Sequence, residues 1–269
     1  MLGFHFSHAQ GSNQLDSLLT EIDRSSVDSV KARLYLQAGQ DLKNHAPDSA
    51  LSFYQMSDSI VALGLQSTEE KERNRYLELR GLSLSLQARH FKEFGDFKTA
   101  EKLFEEAILI QEKHGKSLDL ATTYNAAGRI YERKGDPQQF YTLTHKALKL
   151  HRGKRNATGT AISYIALGSY FEQQGGNDSC LFYYEEAIKT LRPANNKEVL
   201  SFGLYEFANV LSRMEAYDRA IPMLLEAVKL YEEAGNELQT AGGYLSLGIF
   251  FFRADKQEKA ESYYKKEDI

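Results

Sequence analysis

The stretch Leu120–Asp136, LATTYNAAGRIYERKGD, decides the fold when read together with Ala147, eleven residues further on. It carries an aromatic at Tyr124, a small residue at Gly128, a second aromatic at Tyr131 and a Gly-Asp turn at Gly135-Asp136. The arrangement returns every 40 residues. Counted from Gly128, small residues fall at Ala88, Gly168, Ala208 and Gly248; counted from Ala147, alanines fall at Ala107, Ala187 and Ala227. Such a period marks a unit that cannot bury its apolar face alone and must stack on its neighbours.

Composition agrees with a helical array. Hydrophobic residues make up 42% and charged residues 26% of the 269 residues, as in ordinary folded chains. Only four prolines occur and β-branched runs are scarce, which favours helix over sheet. The net charge of −4 offers no basic footprint and argues against a nucleic-acid partner. Cys180 is the only cysteine, so an intramolecular disulfide and a cysteine-based zinc site are excluded. No apolar run approaches the roughly 20 residues that cross a bilayer, so this chain carries no membrane span of that kind.

Residues 1–10, MLGFHFSHAQ, carry two readings. Ser7 and Ala9 resemble the end of a secretory signal peptide cleaved after Ala9, although a basic start and a full apolar segment are missing. The alternative is a disordered tail. The first reading places the protein outside the cytoplasm or in the periplasm, the second in the cytoplasm. Leu15, Leu18, Leu19 and Ile22 then share one helical face over residues 13–24. Within residues 11–30 this helix is read as a cap over the open end of the array. Ser25, Ser26 and Asp28 offer N-cap chemistry to the next helix, which runs to about Lys43. Pro47 opens a helix ending at Gly64, and Ser67-Thr68-Glu69-Glu70 reads as a capping box.

Leu77–Leu86, LELRGLSLSL, alternates like a half-buried strand. The register overrides this, because Leu84, Ala88 and Phe91 hold the slots of Tyr124, Gly128 and Tyr131. A helix is predicted there, the longest of the chain. Further helices are predicted over 97–113, 118–134, 137–152, 157–174, 177–191, 196–214, 217–234 and 237–253, separated by glycine turns and by Pro193-Ala194-Asn195-Asn196.

Each unit has two more small positions, 12 and 19 residues after the first: Ala50, Ala100, Phe140, Cys180, Ala220 and Ala260, then Ser57, Ala107, Ala147, Ala187, Ala227 and Glu267. Tyr54, Phe104, Tyr184 and Leu224 lie four after the second position. Tyr164-x2-Leu167-Gly168-x2-Phe171 and Ala100-x3-Phe104-x2-Ala107 resemble the tetratricopeptide repeat (TPR) family over about residues 31–269. The units are placed at about 31–64, 81–114, 121–154, 161–194, 201–234 and 241–269, the last incomplete. The 40-residue period exceeds the family's roughly 34, so longer helices are expected. Phe140 in a small slot predicts a locally splayed pair.

The resemblance implies an all-α, right-handed superhelical solenoid of antiparallel helix pairs, whose first helices line a concave groove. Positions three before, one after and four after the small site project into that groove. They hold Ser85, Arg89 and Lys92; Asn125, Arg129 and Glu132; Ile165, Ser169 and Glu172; and Tyr205, Asn209 and Ser212. The candidate partner-binding residues are Arg89, Lys92, Asn125, Arg129, Glu132, Ser169, Glu172, Tyr205 and Asn209. Members that bind chaperone tails use a Lys/Asn clamp, which is not reproduced here.

Other groups read as structural. Cys180 occupies a packing slot. His145 and His151 are six apart, off the spacing that shares a metal, and are expected on the solvated surface. The basic run His145–Arg155 fits a helix C-terminus, with an acidic partner as the alternative. Glu105-Glu106, Glu185-Glu186 and Glu232-Glu233 recur as a solvated face. No phosphate loop, nucleophile motif, metal set or cofactor motif is present. In the last unit Ile249, Phe250 and Phe252 are expected to form an apolar interface, to a second copy or to a following domain. The chain thus reads as a non-catalytic scaffold binding a protein or peptide. The alternative is the sensory input module of a bacterial signalling receptor.

Overall fold

The structure, a computed structural model, describes residues 5–67 and 69–267. Among these residues are thirteen α-helices and one 3-10 turn, and no strand. The chain divides into two compact units, Met1–Leu143 and Thr144–Ile269. The first holds α1 (His5–Arg24), α2 (Asp28–Leu42), α3 (Pro47–Gly64), α4 (Glu70–Glu93), α5 (Phe97–His114) and α6 (Ser117–Lys134). Helix α7 (Pro137–Gly153) starts in the first unit and ends in the second. The second continues with α8 (Ala157–Gln173), α9 (Asn177–Leu191), the 3-10 turn Arg192–Ala194 and α10 (Lys197–Arg213). It closes with α11 (Tyr217–Glu233), α12 (Glu237–Arg253) and α13 (Gln257–Glu267). Helices pack in pairs, α2 on α3 and α4 on α5 in the first unit, and α8 on α9, α10 on α11 and α12 on α13 in the second.

Each pair closes on a small residue. A Cβ added to Gly168 would stand 2.6 Å from Cδ2 and Cε2 of Tyr184, so the α9 ring lies directly on the α8 backbone. The rings of Tyr54 and Tyr264 sit in the same way on Gly39 and Gly248. Tyr184 is 1% exposed and stacks on Phe207 of α10, centroids 5.3 Å apart and planes 6° from parallel. One ring thereby joins a pair to the pair that follows. Ala88 and Ala208 are fully buried at the matching positions, as are the downstream alanines Ala107, Ala187 and Ala227. Phe140, in a small slot, is as buried as its neighbours at 1%, with the Arg129 guanidinium 5.7 Å over its ring.

Helix α4 spans 24 residues and contains the whole of Leu77–Leu86. Its serines alternate with leucines because α4 is covered on several sides. Ser83 donates to the Tyr54 carbonyl at 3.4 Å, Ser85 accepts from the Thr123 hydroxyl at 2.8 Å, and Gln111 donates to the Gly81 carbonyl at 3.1 Å. Buried hydroxyls with partners are tolerated in a helix, and the period of two comes from burial all round.

Helix starts and stops follow local chemistry. Asp96, Asn156, Asn196 and Asn236 cap α5, α8, α10 and α12 by accepting a backbone N–H three residues on. The start of α2 differs from expectation: Val27 is the N-cap, and Ser25 accepts from the Val27 N–H at 3.3 Å. At α4 the expected box is replaced. Ser67 accepts from Glu69 N–H at 3.3 Å and donates to Glu72 at 2.6 Å, while Thr68 lies outside the described residues. Helix α1 begins at His5, eight residues earlier than the expected start, and residues 1–4 of the signal-or-tail segment lie outside the described residues. Leu18 and Ile22 of α1 are buried against Leu34 and Ala38 of α2.

The backbone repeats too. Positive φ occurs at Gly95, Gly135, Gly175, Glu215 and Asp255 after the first helices of pairs, and at Arg155, Asn195 and Gly235 after second helices, each series 40 residues apart. Gly135, at φ 72°, adopts this conformation without strain; Glu215, at φ 59°, does so against its Cβ.

The histidines depart from expectation. His151 is 2% exposed rather than solvated, and its ring packs on the Gly159 backbone. Its Nδ1 is buried with no hydrogen-bond partner among the described residues. His145 is half-buried. Burial pulls both imidazoles below their usual pKa. The paired glutamates are not simply solvated either. Glu106 reaches Arg80 at 3.5 Å, Glu185 reaches Arg219 at 2.8 Å and Glu233 reaches Lys197 at 2.8 Å, in each case bridging different helices. Exposed and half-exposed pairs of this kind are screened by solvent, so they bias register more than they add stability.

Two substitutions separate the packing contact from the turn. Gly168→Ala forces the Tyr184 ring off its seat and is expected to destabilise by about 1–3 kcal/mol, whereas Glu215→Gly relieves the left-handed turn and is expected to stabilise by up to about 1 kcal/mol. Thermal melts of the two variants read both signs; an unchanged midpoint for Gly168→Ala refutes the close contact. A pH series checks the buried imidazole. Because its folded pKa lies below the unfolded value of roughly 6.5, the unfolded chain binds more protons in this window. Stability is therefore full above roughly pH 6.5 and falls as pH drops through the lowered value. His151→Gln is expected to flatten this decline, and an equal slope in both proteins refutes it.

Candidate functional site

The candidate residues lie on the first helices of the pairs, and each unit is described by itself. In the first unit Arg89 and Lys92 on α4 and Arg129 and Glu132 on α6 come together, all half-buried. Lys92, Arg129 and Glu132 line one recess with Glu93, Phe97 and Arg133. Arg129 Nη1 contacts Glu132 Oε2 at 2.7 Å, and the Arg133 guanidinium stands 4.3 Å over the Phe97 ring. Burial pulls the Lys92 ammonium below its usual pKa; Glu93 opposes this, and the positive charges of Arg89 and Arg129 add to it. Desolvation and like charge both penalise the protonated form. Arg89 also borders a neighbouring recess with Lys43 and Tyr54, where burial pushes the Tyr54 hydroxyl up to about 12. Asn125 is half-buried on α6.

In the second unit the candidates are neutralised or engaged internally. Glu172 on α8 receives Arg213 Nε of α10 at 2.6 Å, Ser169 accepts from Gln173 at 3.5 Å, and the Tyr205 hydroxyl meets the Ser246 hydroxyl of α12 at 3.2 Å. Asn209 is half-buried on α10. Cys180 is fully buried, and burial, reinforced by the Glu172 charge, pushes its thiol up to about 11, which suits packing and not nucleophilic chemistry. Among the described residues there is no cluster of three or more His, Cys, Asp or Glu side chains suited to a metal, and no helix long and apolar enough to cross a membrane.

Three residues of the projected groove are buried instead, while Asn125, Tyr205, Lys92, Glu132 and Glu172 at the same positions of other units are half-buried. Ser85, Ile165 and Ser212 are at most 4% exposed and do not face solvent. The solvent-facing row runs six before, two before, one after and five after. On α6 it holds Thr122, Ala126, Arg129 and Arg133; on α10 it holds Phe202, Glu206, Asn209 and Arg213. Arg133, Phe202 and Arg213 were thus missed, although the spacing of 4, 3 and 4 along each helix could have located them. In the last unit Phe250 is 4% exposed and belongs to the core, so it leaves the expected interface; Ile249 and Phe252 remain open at 36% and 60%.

Known proteins match in fold and in family. The sequence profile described as soluble NSF attachment protein, SNAP, matches residues 83–236, more than half of the chain. No curated protein sequence matches. Among solved structures, BtubC (BKLC) from P. vanneervenii is similar at 17% identity with a TM-score of 0.61, over 92% of this chain and 89% of that one. A Rap protein complexed with Competence and Sporulation Factor is similar at 14% identity with a TM-score of 0.64, over 96% and 75%. The tetratricopeptide repeat sensor protein of the STAND class from Pyrococcus horikoshii is similar at 15% identity and a TM-score of 0.63, over 87% of this chain and 37% of that one. At such identities the likeness shows the fold alone, a TPR-like helical solenoid. With paired helices closing on small residues and a family profile spanning most of them, the chain belongs to the soluble NSF attachment protein (SNAP) family of TPR-like repeat proteins.

Proposed function

We propose that the chain is a non-catalytic scaffold that binds a protein or peptide along the exposed row of its first helices. The observation that carries this reading is the Arg89, Lys92 and Arg129 cluster, three cations within electrostatic reach of one another with Lys92 partly stripped of water. Such a cluster gains when an anionic group of a partner arrives, because attraction is stronger where water is scarce. Asn125 and Glu132 extend the contact in the first unit, and Ser169, Glu172, Tyr205 and Asn209 supply a second, more neutral contact in the second. In this reading the array occupies residues 31–269 in six units behind a cap over residues 11–30. Ile249 and Phe252 form a further contact, to another copy or to a following domain. The family description, an attachment protein, and the Rap neighbour solved with Competence and Sporulation Factor support a binding role. A second reading, a sensory input module, draws support from the likeness to the STAND repeat sensor.

Peptides selected from a displayed random library on the unmodified chain test the placement. Fluorescence anisotropy is expected to show about tenfold or greater loss of affinity on Arg89→Glu/Arg129→Glu, with the peptide recovered chemically unchanged by mass spectrometry. Undiminished affinity overturns the cation cluster as the contact, and altered peptide overturns the absence of catalysis. Light scattering of the same samples reports a second copy, which Phe252→Asp is expected to release.

A further inference from the structure

A repeating lock ties the first helix of a pair to the second helix of the pair before it. The Tyr124 hydroxyl donates to Glu112 at 2.5 Å, and the Tyr244 hydroxyl donates to Glu232, a residue 12 positions earlier in both cases. Burial, and after it Glu112, hold the Tyr124 hydroxyl well above its usual pKa, and Glu232 followed by burial pushes Tyr244 up to about 12. Two units lie between them: at the first the tyrosine is kept as Tyr164, but the residue 12 positions earlier is Arg152, and at the second Leu204 replaces the tyrosine while Arg192, 12 positions earlier, is paired with Glu226 at 2.8 Å. At Tyr164 the carboxylate has been exchanged for a cation.

The surroundings of Arg152 follow the same inversion. No aspartate or glutamate occurs between Asp136 and Glu172, while Lys146, Lys149, Arg152, Lys154 and Arg155 fall within ten residues. Neither Arg152 nor Lys149 makes an ion pair with a described residue, and the Tyr164 hydroxyl has no hydrogen-bond partner among them. Arg152, Lys149 and Tyr164 line one trough of about 440 Å³ with Leu148, Phe182 and Tyr183. Phe182 is 55% exposed, and Tyr183 lies 5.3 Å from it and 5.9 Å from Tyr164. The volume exceeds what an ion or a water fills and accommodates two or three side chains. Its wall is cationic on α7 and aromatic on α9, and no lining residue is acidic.

We propose that this trough between α7 and α9 binds an acidic segment of a partner protein, whose carboxylate takes the place that Glu112 and Glu232 hold at the equivalent junctions. The carboxylate accepts from the Tyr164 hydroxyl and from the Arg152 guanidinium, with Lys149 beside it, and a neighbouring apolar side chain of the segment packs on Phe182 and Tyr183. The precedent inside the molecule is a carboxylate on a tyrosine hydroxyl, which favours a glutamate- or aspartate-bearing peptide over a phosphate polymer. This surface is separate from the Arg89, Lys92 and Arg129 cluster.

The test uses the full chain and a fluorescein-labelled 12-residue peptide of glutamate and aspartate interrupted by leucine and phenylalanine. Anisotropy is expected to show saturable binding that weakens with salt. Arg152→Glu, and separately Tyr164→Phe, are each expected to weaken it by about tenfold, and Phe182→Ala by several-fold. Arg89→Glu/Arg129→Glu is expected to leave it unchanged, which distinguishes this surface from the one proposed above. Arg152→Glu also rebuilds the internal lock with Tyr164, so its melting temperature is expected to hold or rise while binding is lost. The proposal is overturned if the unmodified chain does not bind the peptide, if Arg152→Glu and Tyr164→Phe bind as tightly as the unmodified chain, or if a single-stranded oligonucleotide of equal charge binds tighter than the peptide.

Discussion

The molecule depends on the approach of a large side chain in one helix to the bare backbone of its partner. Tyr184 on Gly168 shows how much follows from this contact. The absent side chain on α8 lets the α9 ring settle between the helix axes, and its far face then meets Phe207 of the following pair. Closing a pair and stacking the next are therefore one event at one ring. A helix pair of this size has too little apolar surface to stand alone, and a contact that couples neighbours converts many marginal pairs into one cooperative core. In the second unit that core runs unbroken from Ala161 to Ala260.

Geometry at the turns has to match this contact. If rings are to meet small residues at the same height in every pair, the chain must reverse at the same place in every pair. Positive φ recurring from Gly95 through Asp255 meets that requirement even where the residue is a poor choice for it. Glu215 and Asp255 adopt a conformation that glycine adopts at the first three such turns. Tertiary packing sets the backbone there, and the local preference of the residue yields to it.

Much of the fold was legible because packing obeys a period. Predicted helices agree with α5 to α12 to within a residue or two at each end, and the register turned a strand-like Leu77–Leu86 into the interior of α4. What failed were inferences about exposure. The 40-residue period marks which positions repeat, but a repeated position can face a neighbouring pair as readily as solvent. Ser85 and Ser212 are polar and yet buried, and Ser85 is satisfied between helices by the Thr123 hydroxyl. Phe250 and His151 were misplaced for a related reason: an aromatic run or a basic run describes a stretch, while burial is decided residue by residue around the helix. Of the candidate site, Arg89, Lys92, Arg129 and Glu132 do come together in the first unit, whereas Glu172 is held by Arg213, a partner 41 positions away that no short motif reveals.

Binding information in a repeat protein is therefore sought where the period breaks. Positions that keep their residue type through successive units, such as the alanines at Ala107, Ala187 and Ala227, are held by packing and have no freedom left for a ligand. A departure that packing would punish is compensated, as with Phe140, which is buried at 1% beneath the Arg129 guanidinium. Arg152 is a departure of another kind. It removes an internal carboxylate, leaves a tyrosine hydroxyl without an acceptor and sits in a stretch without acids, and nothing in its own unit answers its charge. An exchange that forfeits an internal hydrogen bond and gathers cations on one wall lowers stability wherever it stands alone. Its compensation lies outside the chain, in a group that brings the missing carboxylate back.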